Sequence, residues 1–234
     1  MNIEKLILRR TTEAIKKHSL LEKDEKVIYA LSGGKDSKSL LKILTKIHPV
    51  ENIFPMHVFP YFSPELSKNI HGYCDRLLNR SDSLIEVENP DWKNNPEDCY
   101  MCARSRKKLL FETAQAQGIN KIVYAHNKND VAETFLLNII YSGNTYTMFP
   151  KQSFFDGKFE VIRPFYNVEV KDIIRYCRIY QINPQSYTCK GKAINKRARI
   201  REILDGLEKD HNEKSNSIIH RVFVASSKAN EITN

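Results

Sequence analysis

Glycine is scarce in this chain, eight in 234 residues, and two of the eight are adjacent at positions 33 and 34. Tryptophan occurs once, and acidic residues are outnumbered by basic ones, 28 to 37, for a formal net charge of +9. Long hydrophobic runs are missing: stretches such as Phe135-Leu136-Leu137 are broken by polar residues within a few positions. That falls far short of the ~20 apolar residues of a membrane-spanning helix. The opening residues Met1-Asn2-Ile3-Glu4-Lys5 lack the basic-then-apolar pattern of a secretory signal, so a cytoplasmic location is expected. Five cysteines make an odd, sparse set, which argues against a disulfide framework and directs attention to metal or redox use. No internal repeat and no low-complexity linker is present. The excess of positive charge exceeds what a nucleotide would require and favours a polyanionic partner, nucleic acid above all.

What is present begins with the two adjacent glycines. Ser32-Gly33-Gly34-Lys35-Asp36-Ser37 follows the apolar run Val27-Ile28-Tyr29-Ala30-Leu31. Beyond it Leu40, Ile43, Leu44 and Ile47 recur at helical spacing. Glycines at a strand-to-helix turn let backbone N–H groups approach an anion, and the helix start and Lys35 add positive charge. A Walker A loop is excluded, because it requires glycine where Tyr29 stands and Ser or Thr where Asp36 stands. The order of the six residues resembles the pyrophosphate loop of the N-type ATP pyrophosphatases, which cleave ATP to AMP and pyrophosphate.

Hydrophobic periodicity predicts strands at Val27–Leu31, Ile53–Phe59, Leu84–Val87 and Lys121–Ala125. Between and around them it predicts helices over 3–19, 64–80, 103–118 and 128–141. Asp156-Gly157 between two aromatic-rich runs predicts a β-hairpin within 148–164, and helices are expected over 168–180, 193–208 and 212–228. Strands alternating with helices predict an α/β fold with a doubly wound parallel sheet, a small hairpin and a helical basic C-terminal tail. The expected division is an N-terminal helix (1–24), an ATP-binding core (25–165) and the tail (166–234). In such sheets ligands bind at the carboxyl ends of the strands, where the loop after Leu31 lies.

Cys99-Tyr100-Met101-Cys102 closes a Pro/Asn-rich loop, with Asp98 as the expected N-cap of the helix after it. The helix start and Arg104, Arg106, Lys107 and Lys108 would favour thiolates there. Cys74 and Cys177 fall on apolar helical faces and read as core fillers. Cys99, Cys102 and Cys189 then remain as candidate ligands, a set compatible with a cluster that keeps one exchangeable iron. Basic residues crowd the segment Lys190, Lys192, Lys196, Arg197, Arg199 and Arg201, while Ile200, Ile203, Leu204 and Leu207 form its apolar stripe. The charge is expected to face outward toward an RNA backbone.

In order and spacing these motifs resemble the tRNA 2-thiocytidine synthetase family. They are Ser32–Ser37, Cys99-x-x-Cys102 with Arg104 and Arg106, and Ala125-His126-Asn127-Lys128-Asn129-Asp130 with Thr134. Met148-Phe149-Pro150-Lys151, Arg163-Pro164 and Cys189 complete the set. The resemblance spans roughly residues 25–205. It implies a [4Fe–4S] cluster on Cys99, Cys102 and Cys189, Mg²⁺, a tRNA substrate, and sulfur from a cysteine desulfurase or free sulfide. It implies ATP held by Ala30, Ser32, Gly33, Gly34, Lys35, Asp36, Ser37, His57, Phe59 and His126. Catalytic roles fall to Lys35, Asp36, Asp130 and Arg106, and the expected assembly is a homodimer. Two departures stand out. Asn129 replaces an acid the family usually has, and Cys189-x-x-Lys192 replaces a second C-x-x-C. The alternatives are a related enzyme with another acceptor (2-thiouridine synthesis, lysidine synthesis or phosphosulfate reduction) or a non-catalytic, nucleotide-dependent RNA-binding module.

Overall fold

The computed structural model describes residues 2–59, 63–89, 99–185, 196–211 and 217–232. Six strands form one sheet in the order β3-β2-β1-β4-β6-β5. They are β1 (Val27–Ala30), β2 (Ile53–Phe59), β3 (Ile85–Glu88), β4 (Lys121–Val123), β5 (Lys151–Phe154) and β6 (Phe159–Ile162). All pairings are parallel except β5 with β6, and the register sets Val27 opposite Ile53, Met56 opposite Ile85 and Lys121 opposite Glu160. The expected hairpin therefore forms, but β6 extends the parallel sheet beside β4, which makes the hairpin the sheet's edge and not an appendage.

Because side chains alternate along a strand, the sheet has two apolar faces. Val27, Tyr29, Leu31, Ile53, Val123 and Ile162 point to one face. There they meet α1 (Ile3–Lys17), α2 (Lys35–Leu44), α3 (Pro64–Leu78) and α6 (Val170–Ile179) through Ile7, Leu40, Ile70 and Ile173. Ile28, Met56, Ile122 and Val161 point to the other face, covered by Leu110, Phe111 and Ala114 of α4 (Cys99–Ala116). A single apolar cluster thus takes in α1 and α6 together with the strands, across the expected divisions at 24 and 165. Each of its buried Ile and Leu side chains contributes on the order of 2 kcal/mol by leaving water.

A second assembly lies at one end. There α5 (Lys128–Ser142) packs on α7 (Lys196–Asp210) and α8 (Ile218–Ile232) through Ala132, Ile200, Leu204 and Ile219. Buried Lys128 ties this group to the core, with its Nζ 3.2 Å from Glu169 and 2.8 Å from the His220 ring. No helix among the described residues is long and apolar enough to cross a membrane. The helix expected from residue 103 starts at Cys99, which takes the C-x-x-C motif into its first turn, since Tyr100, Met101 and Ala103 all accept helical geometry.

Candidate active site

Between the end of β1 and the start of α2 the chain turns through Ser32, Gly33 and Gly34. Gly33 has φ +81°, and a Cβ there would stand 2.8 Å from the Gln185 carbonyl oxygen. A side chain at 33 would meet both backbone strain and a clash. The close approach is held by Gln185 N–H donating to the Gly33 carbonyl at 2.9 Å, and by Lys38 Nζ donating to the Asn183 carbonyl and to Gln185 Oε1. Gly34 is the N-cap of α2 and, lacking a side chain, caps no amide of its first turn, while its own N–H reaches Ser32 Oγ at 3.4 Å. Ser32 and Ser37 hydroxyls lie 3.0 Å apart, and Ser37 Oγ donates to the Gly34 carbonyl at 3.1 Å.

The loop opens on a cleft of about 470 Å³ at the carboxyl ends of β1 and β4, a size suited to a small-molecule ligand. Ala30, Ser32, Asp36, Ser37, Arg106, His126 and Asp130 all line it, seven of the residues singled out from the sequence. Gly33, Gly34 and Lys35 form the loop at its edge, with Lys35 Nζ paired to Asp36 Oδ2 at 2.9 Å. Asp36 Oδ1 accepts from Asn127 Nδ2 at 3.3 Å. Burial raises the Asp36 carboxyl above its ordinary pKa; Lys35 opposes that shift, and the nearby charge of Asp130 adds to it. Two carboxylates thus share a partly desolvated corner, an arrangement that a cation would relieve.

Asp130 has a second task. With Asn127 it forms the capping box of α5, accepting from the Asn127 N–H at 2.9 Å, and Arg197 lies 3.7 Å from its other oxygen. Asn129, the departure from the expected acid, faces elsewhere: its Oδ1 accepts from Val170 N–H at the start of α6, 3.0 Å away. It caps a helix, as an aspartate could. His126 stacks on Tyr124 with ring centroids 5.3 Å apart, and its buried Nδ1 has no partner among the described residues. Burial, then Arg163 and Arg197, lower its pKa to about 3, so it is neutral at physiological pH.

His57 and Phe59 are not among the residues that line this cleft. Met56 and Val58 line the cleft, whereas His57 is buried on the opposite face, its Nδ1 2.6 Å from the Leu31 carbonyl. Burial lowers its pKa below the ordinary imidazole value. Three other lining residues, Lys107, Tyr124 and Arg163, were not singled out as site residues. Arg163 is 7% exposed, donates to the Phe149 carbonyl at 2.6 Å and to Gln152 Oε1 at 3.3 Å, and has no partner for its Nε among the described residues. Burial lowers its pKa to about 10, which still leaves it cationic. The Arg163-Pro164 pair was the available signal.

Of the candidate cluster ligands, Cys102 is an unbridged, half-buried thiol in the first turn of α4. The Cys99 side chain and all of Cys189 lie outside the described residues, as do Asp98, Lys190 and Lys192. Among the described residues no group of three metal-binding side chains forms. Cys74 and Cys177 are buried, as expected of fillers; burial pushes the Cys74 thiol up to about 12 and raises Cys177 too, which makes neither a ready thiolate. The basic helix α7 is only partly free. Arg201 forms two hydrogen bonds to buried Glu133, at 2.8 and 2.9 Å, and Arg197 donates to Thr134 at 2.7 Å. Exposed Arg199 pairs loosely with Glu202, and Lys196 lies 4.9 Å from the Tyr141 ring centre. Much of this charge was expected to face outward; Arg197 and Arg201 instead turn toward α5, which answers their charge with Asp130 and Glu133.

Known proteins resemble the chain in both sequence and fold. A tRNA-cytidine(32) 2-sulfurtransferase of Aeromonas salmonicida is 31% identical over 193 residues, 76% of this chain and 61% of that protein. This chain therefore spans about three-fifths of that relative's length. The protein of the same name from Methylococcus capsulatus is 32% identical over 226 residues, 89% of this chain and 75% of its own. Among solved structures, a U34-tRNA thiolase from Methanococcus maripaludis superposes with a TM-score of 0.72 at 18% identity, over 97% of this chain and 80% of that one. An NH3-dependent NAD synthetase from Campylobacter jejuni follows with a TM-score of 0.54 at 16% identity, over 99% and 94%. Both share the fold. A family model described as the PP-loop domain matches residues 4–207. The chain belongs to the PP-loop domain family and, within it, to the family of the tRNA-cytidine(32) 2-sulfurtransferases.

Proposed function

We propose that this protein is an ATP-dependent tRNA thiolase that replaces the C2 oxygen of an anticodon-loop cytidine with sulfur. The observation that carries the reading is the junction of a pyrophosphate-type loop, two close carboxylates and a buried arginine in one cleft. In the first step the cytidine C2 oxygen attacks the α-phosphorus of ATP, the oxygen–phosphorus bond forms, and the α–β bond breaks to release pyrophosphate. Catalysis of such a step is mainly positioning and charge neutralisation. The loop amides, the two serine hydroxyls and Lys35 would hold the β- and γ-phosphates. Asp36 and Asp130 suit Mg²⁺, which takes one or two carboxylates plus phosphate oxygens. Arg106 and Arg163 would meet the charge on the α-phosphate, and neutral His126 would offer a hydrogen bond and no charge. In the second step sulfur adds at C2 and AMP leaves with the original oxygen.

A [4Fe–4S] cluster on Cys99, Cys102 and Cys189 would supply the sulfide-carrying iron. Cysteine desulfurase or free sulfide is the proposed source of sulfur, the homodimer the proposed assembly, and the cytoplasm the proposed location. The test is anaerobic purification with cluster reconstitution, then nucleoside analysis of tRNA incubated with ATP and sulfide. The expected product is 2-thiocytidine, and Lys35→Ala is expected to slow its formation by about 100-fold. Thiolation at the normal rate by Lys35→Ala, or full activity in Cys189→Ala, would defeat the proposal.

A further inference from the structure

The outer face of α4 carries Met101, Arg104, Lys108 and Phe111 at helical spacing, one wall of a second groove of about 800 Å³. The β5–β6 hairpin supplies the other wall. The floor is aromatic: Phe111 stands edge-on to Phe155 at 5.1 Å and to Phe159 at 5.2 Å. Around that floor the charge is almost all of one sign. Arg104, Lys107, Lys108 and Lys158 line the groove against a single acid, Glu112, which lies 3.6 Å from Lys108.

Phe155 is the informative residue. It is 64% exposed, and its backbone sits at φ +54° in the hairpin turn, followed by Asp156 at +53° and Gly157 at +85°. A bulky side chain in the left-handed region is an outlier that costs stability, and a ring left 64% exposed, with only its edge contacts to Phe111 and Phe159, recovers little by burial. Folding alone would favour Asn or Gly at this turn position. What the residue does provide is a largely exposed ring in a groove that Arg104, Lys107, Lys108 and Lys158 also line. Aromatic faces inside a basic groove are the physical means by which single-stranded nucleic acid is held: bases stack on the rings and phosphates meet the charges.

We propose that this groove binds the unpaired nucleotides of the tRNA loop, with one base stacked on Phe155 and the flanking phosphates held by Arg104, Lys108 and Lys158. The proposal rests on the tRNA thiolase reading and adds to it the surface on which the RNA lies. Lys107, which borders both the groove and the ATP cleft, marks where the two adjoin.

The test uses the full chain and two labelled probes, a ten-nucleotide oligocytidylate and a ten-base-pair RNA duplex, followed by fluorescence anisotropy. Wild type is expected to prefer the single strand. Phe155→Ala should weaken oligocytidylate binding about tenfold, with Phe155→Tyr staying within about twofold of wild type. Lys158→Ala should lower the slope of log affinity against log salt by about 0.7. All three variants should bind ATP as wild type does. Equal affinity of wild type for duplex and single strand, or unchanged oligocytidylate binding by Phe155→Ala, overturns the proposal. So does a Phe155→Ala chain that changes from dimer to monomer in sedimentation while keeping its RNA affinity, because the groove would then be a self-interface. If those failures occur while wild type still binds and thiolates tRNA, only the groove assignment falls; a wild type that binds no tRNA removes both readings.

Discussion

Two helices, α4 and α7, carry most of the clustered positive charge, and they use it in opposite ways. On α7, Arg201 is clamped by buried Glu133 and Arg197 is drawn toward Asp130 and Thr134, so the charge is answered from within the molecule. On α4, Arg104 and Arg106 have no carboxylate within ion-pair distance among the described residues, and Arg106 and Lys107 line the cleft. The α7 charge holds a helix in place. On α4 it is Lys108 that meets an acid, Glu112 at 3.6 Å, while Arg104 and Arg106 meet none among the described residues. Density of lysine and arginine along a sequence therefore says little about availability, which depends on what packs opposite.

The contrast is broken most forcefully at Arg201. Its loss would leave the Glu133 carboxylate buried, 5% exposed at the side chain, without its cation. Arg201 itself is 55% exposed, so water screens part of the interaction, and Arg201→Ala is expected to cost about 2 kcal/mol in urea unfolding. Its tRNA affinity should move less than about threefold. An unaltered unfolding midpoint with a large drop in tRNA affinity would reverse the assignment of the two helices. Arg104→Ala is the counterpart with a smaller energy. Stability should stay within about 0.5 kcal/mol, while tRNA binding weakens about fivefold and its salt dependence flattens. Filter binding at several salt concentrations measures both.

Much of the fold was legible because its elements are long and periodic, and β1, with the loop and α2 behind it, sits where the pattern of Val27 to Ile47 put it. The errors share a cause. Strand β2 is buried on both faces over most of its length, so alternation in Ile53–Phe59 carried no signal for which residues face the cleft. His57 and Phe59 were singled out, whereas Met56 and Val58 line the cleft. Arg197 and Arg201 were read as outward because their partners, Asp130 and Glu133, lie more than sixty residues earlier in the chain. Asn129 was legible only as a departure from the family's acid; that its Oδ1 accepts from the start of α6 needed the tertiary structure. Arg163 was visible as part of a motif, but only the tertiary structure shows it buried, with no carboxylate partner among the described residues. The groove beside α4 needs the hairpin as its second wall, and no spacing within either element reveals that the two meet.

The finest distinction between the helices is tested at His126. Its folded pKa of about 3 lies below the ordinary 6.5, so between those values the unfolded chain binds a proton that the folded chain does not. Stability is therefore intact above pH 6.5 and falls as the pH drops through this window, by up to about 1.4 kcal/mol per unit from this one group. His126→Gln should remove that share of the acid slope. Arg197 makes the smallest of the three contributions to the shift, after burial and Arg163. Arg197→Ala should accordingly raise the His126 pKa by less than Arg163→Ala does, which the imidazole C–H resonances report in an NMR titration. That outcome would mean the charge of α7 acts inward, on the cleft wall. If Arg197→Ala leaves the His126 titration where it was but weakens tRNA binding, then α7 faces the RNA after all, and the division of labour between the two basic helices does not hold.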